Sequence, residues 1–112
     1  MTLAVLNPAT GETVARLPAD DAPSVAAKHA RARAAQARWA AGPLEGRLEA
    51  MRRFRSLAVE RSEALARILT TEVGKPIAQS RNELAGLIAR LDFFLAEAPA
   101  APTPLPKGSE PT

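Results

Sequence analysis

Two glycine–proline breaks decide what this chain can fold into. Gly42-Pro43 and Gly74-Lys75-Pro76 each set a residue without a Cβ close to one that cannot continue a helix. A helix reaching such a pair stops there. The proline then opens the next helix, because its missing N–H is one that a first turn leaves unpaired anyway. A single long helix is therefore excluded, and the chain must be a set of rods joined by tight connections. A third break lies near the N-terminus, at Asn7-Pro8-Ala9-Thr10-Gly11-Glu12. It is dense in turn formers: proline fixes φ, glycine supplies positive φ, and asparagine and threonine bond locally to the backbone.

The segments between the breaks have distinct periodicities. Leu3 to Leu6 is a short apolar run, and Thr13-Val14-Ala15-Arg16-Leu17 is β-compatible with weak alternation. Together they predict a hairpin over Leu3–Leu17, which needs something to lie against because an isolated hairpin is marginal in water. The second segment predicts a helix to Ala41, capped by Asp20 or Asp21 with Pro23 in its first turn and stopped by Gly42. Its apolar stripe is thin: Val25, Ala32 and Trp39, with His29 and Gln36 at the intervening heptad positions. From Pro43, Leu44, Leu48, Met51, Phe54, Leu57 and Ala58 recur at helical spacing, and Glu49 can pair with Arg53 one turn on. The pattern loses phase near Arg61-Ser62. Ser62 can cap a further helix with Leu65, Ile68 and Leu69 on its inner face and Glu63 to Arg67 outside, ended by Gly74. From Pro76, Ile77, Leu84, Leu87, Ile88, Leu91 and Leu95 make another helical face, with Phe94 beside it, to about Ala98. Half of the ten prolines fall after that point, which predicts a disordered Pro-rich tail over 99–112. There is no internal repeat. Taken alone, the chain reads as mainly α: an N-terminal β-hairpin, about four helices and the tail.

Composition limits the core and the chemistry. Of 112 residues, 46% are hydrophobic, but 25 are alanine and only 27 are larger apolar residues, so little can be buried. There is no cysteine, which excludes a disulfide, a thiolate metal site and a cysteine nucleophile within the chain. The single histidine cannot build a histidine metal cluster. The net charge is +3, and a pI near 10.2 reflects the absence of tyrosine and cysteine more than any concentration of base. Arginine and glutamate interleave as on a solvated helix surface, without the stacking aromatics of a single-strand groove, which argues against a nucleic-acid partner. No apolar run is long enough to span a membrane and no targeting segment is visible, so the expected location is the cytoplasm.

The search for a catalytic constellation returns little. Gly42 and Gly46 form only a turn-associated GxxxG, and there is no glycine-rich phosphate loop. His29 reads as a partly exposed helix residue rather than a ligand or base, and Trp39 as core packing rather than a stacking platform. Glu72 and Glu83 lie on successive helices and could approach each other, but paired carboxylates do acid–base work only with further partner groups, and none is evident. The reading assigns no catalytic, cofactor-binding or metal-binding residue.

One ordered set of motifs is more specific. Asn7-Pro8-Ala9-Thr10-Gly11-Glu12 is followed by an Ala-rich helix ending in Trp39, then Arg47-Leu48, Leu65-Ala66, and Glu72-Val73-Gly74-Lys75-Pro76, with Glu83 after it. Over residues 3–98 this order resembles the N-terminal segment of the NAD(P)-dependent aldehyde dehydrogenase superfamily. The resemblance implies an α/β, Rossmann-like fold for the complete family, of which residues 1–98 would be a partial N-terminal part of the cofactor-binding domain. It implies oxidation of an aldehyde to an acid, with a cysteine nucleophile, a glutamate base and NAD or NADP as hydride acceptor. The family's catalytic and cofactor residues lie downstream of the matched segment, so none carries over, and no cofactor is expected to bind this chain alone. The resemblance gives Asn7–Glu12 the turn between two strands, Gly74 a helix end at positive φ, and Pro76 the start of the next helix. Lys75 would lie on that turn, with its ammonium near a helix C-terminus. For Glu83 the preferred role is a buried structural hydrogen bond or a surface position; the alternative the resemblance implies is a rough match to a carboxylate that some members place near a monovalent cation.

Two departures stand out. His29 and Gln36 replace residues that the family usually keeps apolar, and the Pro-rich tail stands where the family continues into its cofactor domain. The second departure reads as a truncated frame: a gene fragment, a frameshifted copy or a partial gene prediction. The expected partner is then a full-length aldehyde dehydrogenase or a second copy of the chain. The rival reading is a small stand-alone helical interaction protein.

Overall fold

The structure, a computed structural model, describes residues 1–101. The order is β1 (Thr2–Leu6), β2 (Thr13–Pro18), α1 (Ala22–Ala41), α2 (Leu44–Glu60), α3 (Ser62–Val73) and α4 (Ile77–Glu97), closed by a 3₁₀ turn at Ala98–Ala100. Pro99 and Ala100 thus continue the helical end for one turn beyond the expected boundary. The remainder of the expected tail, 102–112, lies outside the described residues.

The hairpin forms as its turn residues dictate. β1 and β2 pair antiparallel, Leu3 opposite Leu17 and Val5 opposite Ala15, with a bulge between Val5 and Leu6. The Gly11 N–H donates to the Asn7 carbonyl at 2.7 Å, and the Asn7 N–H donates to the Glu12 carbonyl at 2.9 Å. The Asn7 side chain accepts from the Ala9 N–H at 2.9 Å, and Gly11 takes the positive φ (76°) that closes the loop.

Helix α1 stands on propensity and capping. Asp21 is its N-cap, accepting from the Ser24 N–H at 2.9 Å, while Asp20 accepts from the Ser24 hydroxyl at 2.8 Å and pairs with Lys28. It buries no residue. Trp39, read from the sequence as core packing, is 47% exposed. An Ala-rich helix with so thin a stripe offers too little apolar surface around Trp39 to anchor it against a neighbour.

The interior is made by α2, α3 and α4. Its buried apolar residues are Leu48 and Ala58 of α2, Ala66 of α3 and Leu84 of α4, and Ser80 of α4 is buried with them. The expected inner face of α3 is only partly realised: Leu69 is half-buried, but Leu65 and Ile68 are exposed and Ala66 takes the central place. Met51, Phe54, Leu57, Phe93 and Phe94 are also exposed. Periodicity located the apolar faces, but in this chain α4 covers only part of them. The Cα radius of gyration is 19.4 Å, against about 13 Å for a compact chain of 100 residues.

The joint between α2 and α3 differs from expectation. Ser62 is the first residue of α3 and its hydroxyl makes no capping bond; Arg61 stands alone between the helices at φ −102°, ψ 11°. The Arg61 N–H donates to the Leu57 carbonyl at 3.0 Å and its own carbonyl accepts from the Leu65 N–H at 2.9 Å. Arg61 thus holds the N-cap place of α3, one residue before the expected Ser62, and accepts the first bond of the helix through its backbone.

Gly74 ends α3 at φ 80°, ψ 14°, its N–H donating to the Thr70 carbonyl at 2.9 Å. Pro76 then caps α4, its carbonyl accepting from the Gln79 and Ser80 N–H groups at 2.9 and 3.2 Å. A Cβ on Gly74 would lie 2.6 Å from the Pro8 Cγ. The hairpin turn and the α3–α4 turn therefore touch at a point where only glycine fits. Gly74→Ala should destabilise the fold by at least about 1–2 kcal/mol, the cost of a left-handed Cβ, with the proline clash added. Gly42→Ala should cost little, because Gly42 has φ −70° and its Cβ would come no closer than 3.4 Å to its neighbours. Denaturant midpoints of the two variants check both expectations.

Candidate functional site

The two motifs farthest apart in the chain meet at the Pro8–Gly74 contact, and Lys75 and Glu83 sit beside it. Lys75 is half-buried on the turn, and its Nζ pairs with Glu83 Oε1, eight residues on in α4. The ammonium expected near a helix C-terminus thus finds a carboxylate instead, which is the stronger attraction at short range. Of the two carboxylates singled out in the sequence, Glu83 is thus engaged by a cation of the turn.

Further polar contacts hold α4 to its neighbours. Arg55 of α2 grips Asp92 of α4 with two bonds, Nε to Oδ1 at 2.5 Å and Nη2 to Oδ2 at 3.0 Å. Arg81 of α4 grips Glu63 of α3 the same way, at 2.9 and 2.8 Å. The Thr70 and Ser80 hydroxyls share a hydrogen bond of 2.8 Å between them. Such forked pairs fix orientation more than they add stability at a surface. Glu63 also pairs with Arg67 one helical turn on, at 3.0 Å, on the face expected to lie outside. The expected Glu49–Arg53 pair is replaced: Arg52 takes both Glu45, at 2.6 Å, and Glu49, at 3.3 Å. A guanidinium between two carboxylates gains more than one beside a single carboxylate.

Sequence reading had no means of finding the cross-helix clasps. Glu63 and Arg81 are 18 residues apart, and Arg55 and Asp92 are 37. Only the antiparallel return of α4 brings them together.

The concavities are small or shallow: one of about 370 Å³, between Arg67, Thr70 and Thr71 of α3 and Ile77 and Arg81 of α4, lies open at the surface. A groove of about 150 Å³ runs beside the Glu63–Arg81 clasp, lined by Ser62, Leu84, Ala85 and Ile88. A second, of about 160 Å³, is wholly apolar and lies between α2 and α4, lined by Leu48, Met51, Leu91, Phe94, Leu95 and Ala98. Both are below the roughly 300 Å³ at which small-molecule sites begin. The surface around Gln36 and Trp39 is walled by α1 alone. Among the described residues, no group of three or more His, Cys, Asp and Glu could hold a metal, and no helix is long and apolar enough to cross a membrane. The described sheet is one antiparallel hairpin, which is not the strand–glycine loop–helix arrangement that cradles a dinucleotide phosphate.

With this geometry in place, comparison with known proteins is decisive about kinship. Residues 1–105 match the aldehyde dehydrogenase family. The N-succinylglutamate 5-semialdehyde dehydrogenase of Burkholderia mallei is 41% identical over 90 residues, covering 80% of this chain and 18% of that protein. Its counterpart in Burkholderia thailandensis is 41% identical over 89 residues, with the same coverage. The 3-sulfolactaldehyde dehydrogenase of Pseudomonas putida is 37% identical over 97 residues, 87% of this chain and 20% of that one. The chain belongs to the aldehyde dehydrogenase family and corresponds to an N-terminal segment of it. It spans about a fifth of the length of the curated relatives it matches.

The clasps make stability depend on acid. The Arg81 guanidinium, helped by Arg67, holds the Glu63 carboxyl at about 2, against an ordinary value of 4.5. Arg55 likewise lowers Asp92. A carboxyl that is more acidic in the folded state stabilises that state fully above its unfolded value and ceases to do so as pH falls through its folded one. The advantage of the native chain over Glu63→Gln should therefore be complete near pH 5 and shrink toward zero as pH falls to about 2. Urea midpoints of both proteins across that range measure it.

Proposed function

We propose that this chain is the outer helical layer of an NAD(P)-dependent aldehyde dehydrogenase that oxidises an aldehyde to a carboxylic acid in the cytoplasm. NAD(P)+ supplies the hydride acceptor in that reaction. The residues described here do not fit the dinucleotide, since they provide neither a glycine-rich phosphate loop nor a parallel strand pair, so no step is assigned to it in this chain. The proposal likewise assigns no catalytic or metal-binding residue here. With no cysteine in its 112 residues, the chain lacks the thiolate that the reaction uses as nucleophile, and alone it is inactive.

The observation that carries the reading is the pairing of family membership with uncovered apolar faces. Leu57, Ile68, Phe93 and Phe94 lie on helices that match the family and are largely exposed. Their proposed cover is the rest of a dehydrogenase chain, in the same polypeptide or a longer relative. Self-association is the same preference satisfied by a second copy. The relatives are named for two different aldehydes yet match this segment at similar identity. The segment's part is therefore to scaffold the enzyme rather than to choose its substrate.

Two measurements test the proposal. Purified chain with NAD+ or NADP+ and an aldehyde panel should show no turnover above buffer. A chimera in which residues 1–98 replace the matched segment of the Burkholderia mallei enzyme should be folded and oxidise that enzyme's aldehyde. Turnover by the chain alone, or a chimera that is inactive while the parent is active, would overturn the assignment.

A further inference from the structure

The outer surface of α3 and α4 sets two guanidiniums against one carboxylate. Glu63 Oε1 accepts from the Arg81 Nη2 at 2.8 Å and pairs with the Arg67 Nη2 at 3.0 Å, while Glu63 Oε2 accepts from the Arg81 Nε at 2.9 Å. Among the described residues neither arginine has a second acidic partner. The three side chains together therefore carry one positive charge in excess. Arg67 Nε and Nη1 and Arg81 Nη1 take no part in these contacts, so the cluster keeps N–H donors to offer.

Arg81 borders two concavities whose walls differ in charge. The groove of about 150 Å³ has Glu63 in its wall. The opening of about 370 Å³ is lined by both arginines, Thr70, Thr71 and Ile77, and by no carboxylate. Its size passes the roughly 300 Å³ at which small-molecule sites begin. The Thr71 hydroxyl donates to the Arg67 carbonyl at 2.8 Å, and Thr70 shares its 2.8 Å hydrogen bond with the buried Ser80. With Ser80 as the donor in that pair, the Thr70 proton is left for the opening. Guanidinium forks match the oxygens of a phosphate group in both charge and spacing. We propose that the opening between Arg67 and Arg81 binds a small phosphate-bearing anion. The N–H groups that Glu63 leaves over donate to the phosphate oxygens, and the Thr70 hydroxyl adds a further donor. Glu63 holds both guanidiniums in place and, as an anion itself, limits the affinity. Inorganic phosphate and a phosphate monoester share this chemistry.

The test titrates the ¹⁵N-labelled chain at neutral pH with inorganic phosphate and, separately, with glycerol phosphate, ionic strength being held constant with sodium chloride. Resonances of Arg67, Thr70, Thr71 and Arg81 should shift and saturate, while those of Arg31 and Arg33 on α1 stay in place. Arg67→Gln, at an exposed position, should weaken binding about ten-fold, the worth of one charge-assisted hydrogen bond. Arg67→Lys keeps the charge without the fork and should recover part of that loss. Arg31→Gln removes the same charge from α1 and should leave binding unchanged. In the Burkholderia mallei chimera the same phosphate should raise Tm, and Arg67→Gln should abolish the rise. Saturation by both ligands assigns the site to a phosphate group however carried; saturation by inorganic phosphate alone assigns it to the free ion. Shifts that never saturate, or an Arg31→Gln variant that loses as much as Arg67→Gln, would overturn the site and leave the dehydrogenase reading untouched.

Discussion

The packing of α4 against α3 and α2 is the contact on which the rest of the structure hangs. Ala66 and Ser80 are both fully buried, and neither is large. Small residues at a crossing let helices approach until backbone and hydroxyl groups fill the space, which is why the Thr70–Ser80 hydrogen bond can form inside it. Without that return of α4, the Glu63–Arg81 and Arg55–Asp92 clasps would have no partners, and Pro8 would have no turn to rest against. The interior is thin, so geometry is set by a few close contacts rather than by a large apolar mass.

The parts of the fold that were legible in the sequence are those governed by local rules. The Asn7–Glu12 turn, the hairpin and the stop at Gly74 follow from residues that accept only certain backbone angles. Asp21 at the start of α1 follows from the same kind of rule. Failure came where a local rule met competition. Ser62 was a sound cap candidate, but α3 starts one residue earlier than that, with Arg61 in the cap place and Ser62 as the first helical residue. Glu49 was within reach of Arg53, but Arg52 offered a place between two carboxylates.

Misreadings of burial have a different cause. Trp39, Leu65 and Ile68 sit at positions whose spacing reads as an inner face, yet they are exposed. Hydrophobic periodicity records which side of a helix avoids water in the completed protein. It carries no information about whether the covering element lies within the same 112 residues. Under the proposed function, these exposed positions are the ones that further parts of a dehydrogenase would cover. The cross-helix clasps were illegible for the opposite reason: nothing in the vicinity of Glu63 or Arg55 in the chain marks its partner.

The Pro8–Gly74 contact has a consequence for the order in which the chain assembles. The hairpin closes through contacts a few residues apart, and each helix forms through bonds four residues apart; both are fast, local events. Joining Pro8 to Gly74 closes a loop of many tens of residues, whose entropy must be given up before the contact returns anything. The glycine can receive the proline only after the left-handed turn between α3 and α4 has been set. Docking of the hairpin is therefore a late step, and it reports that the helical part has already been completed correctly.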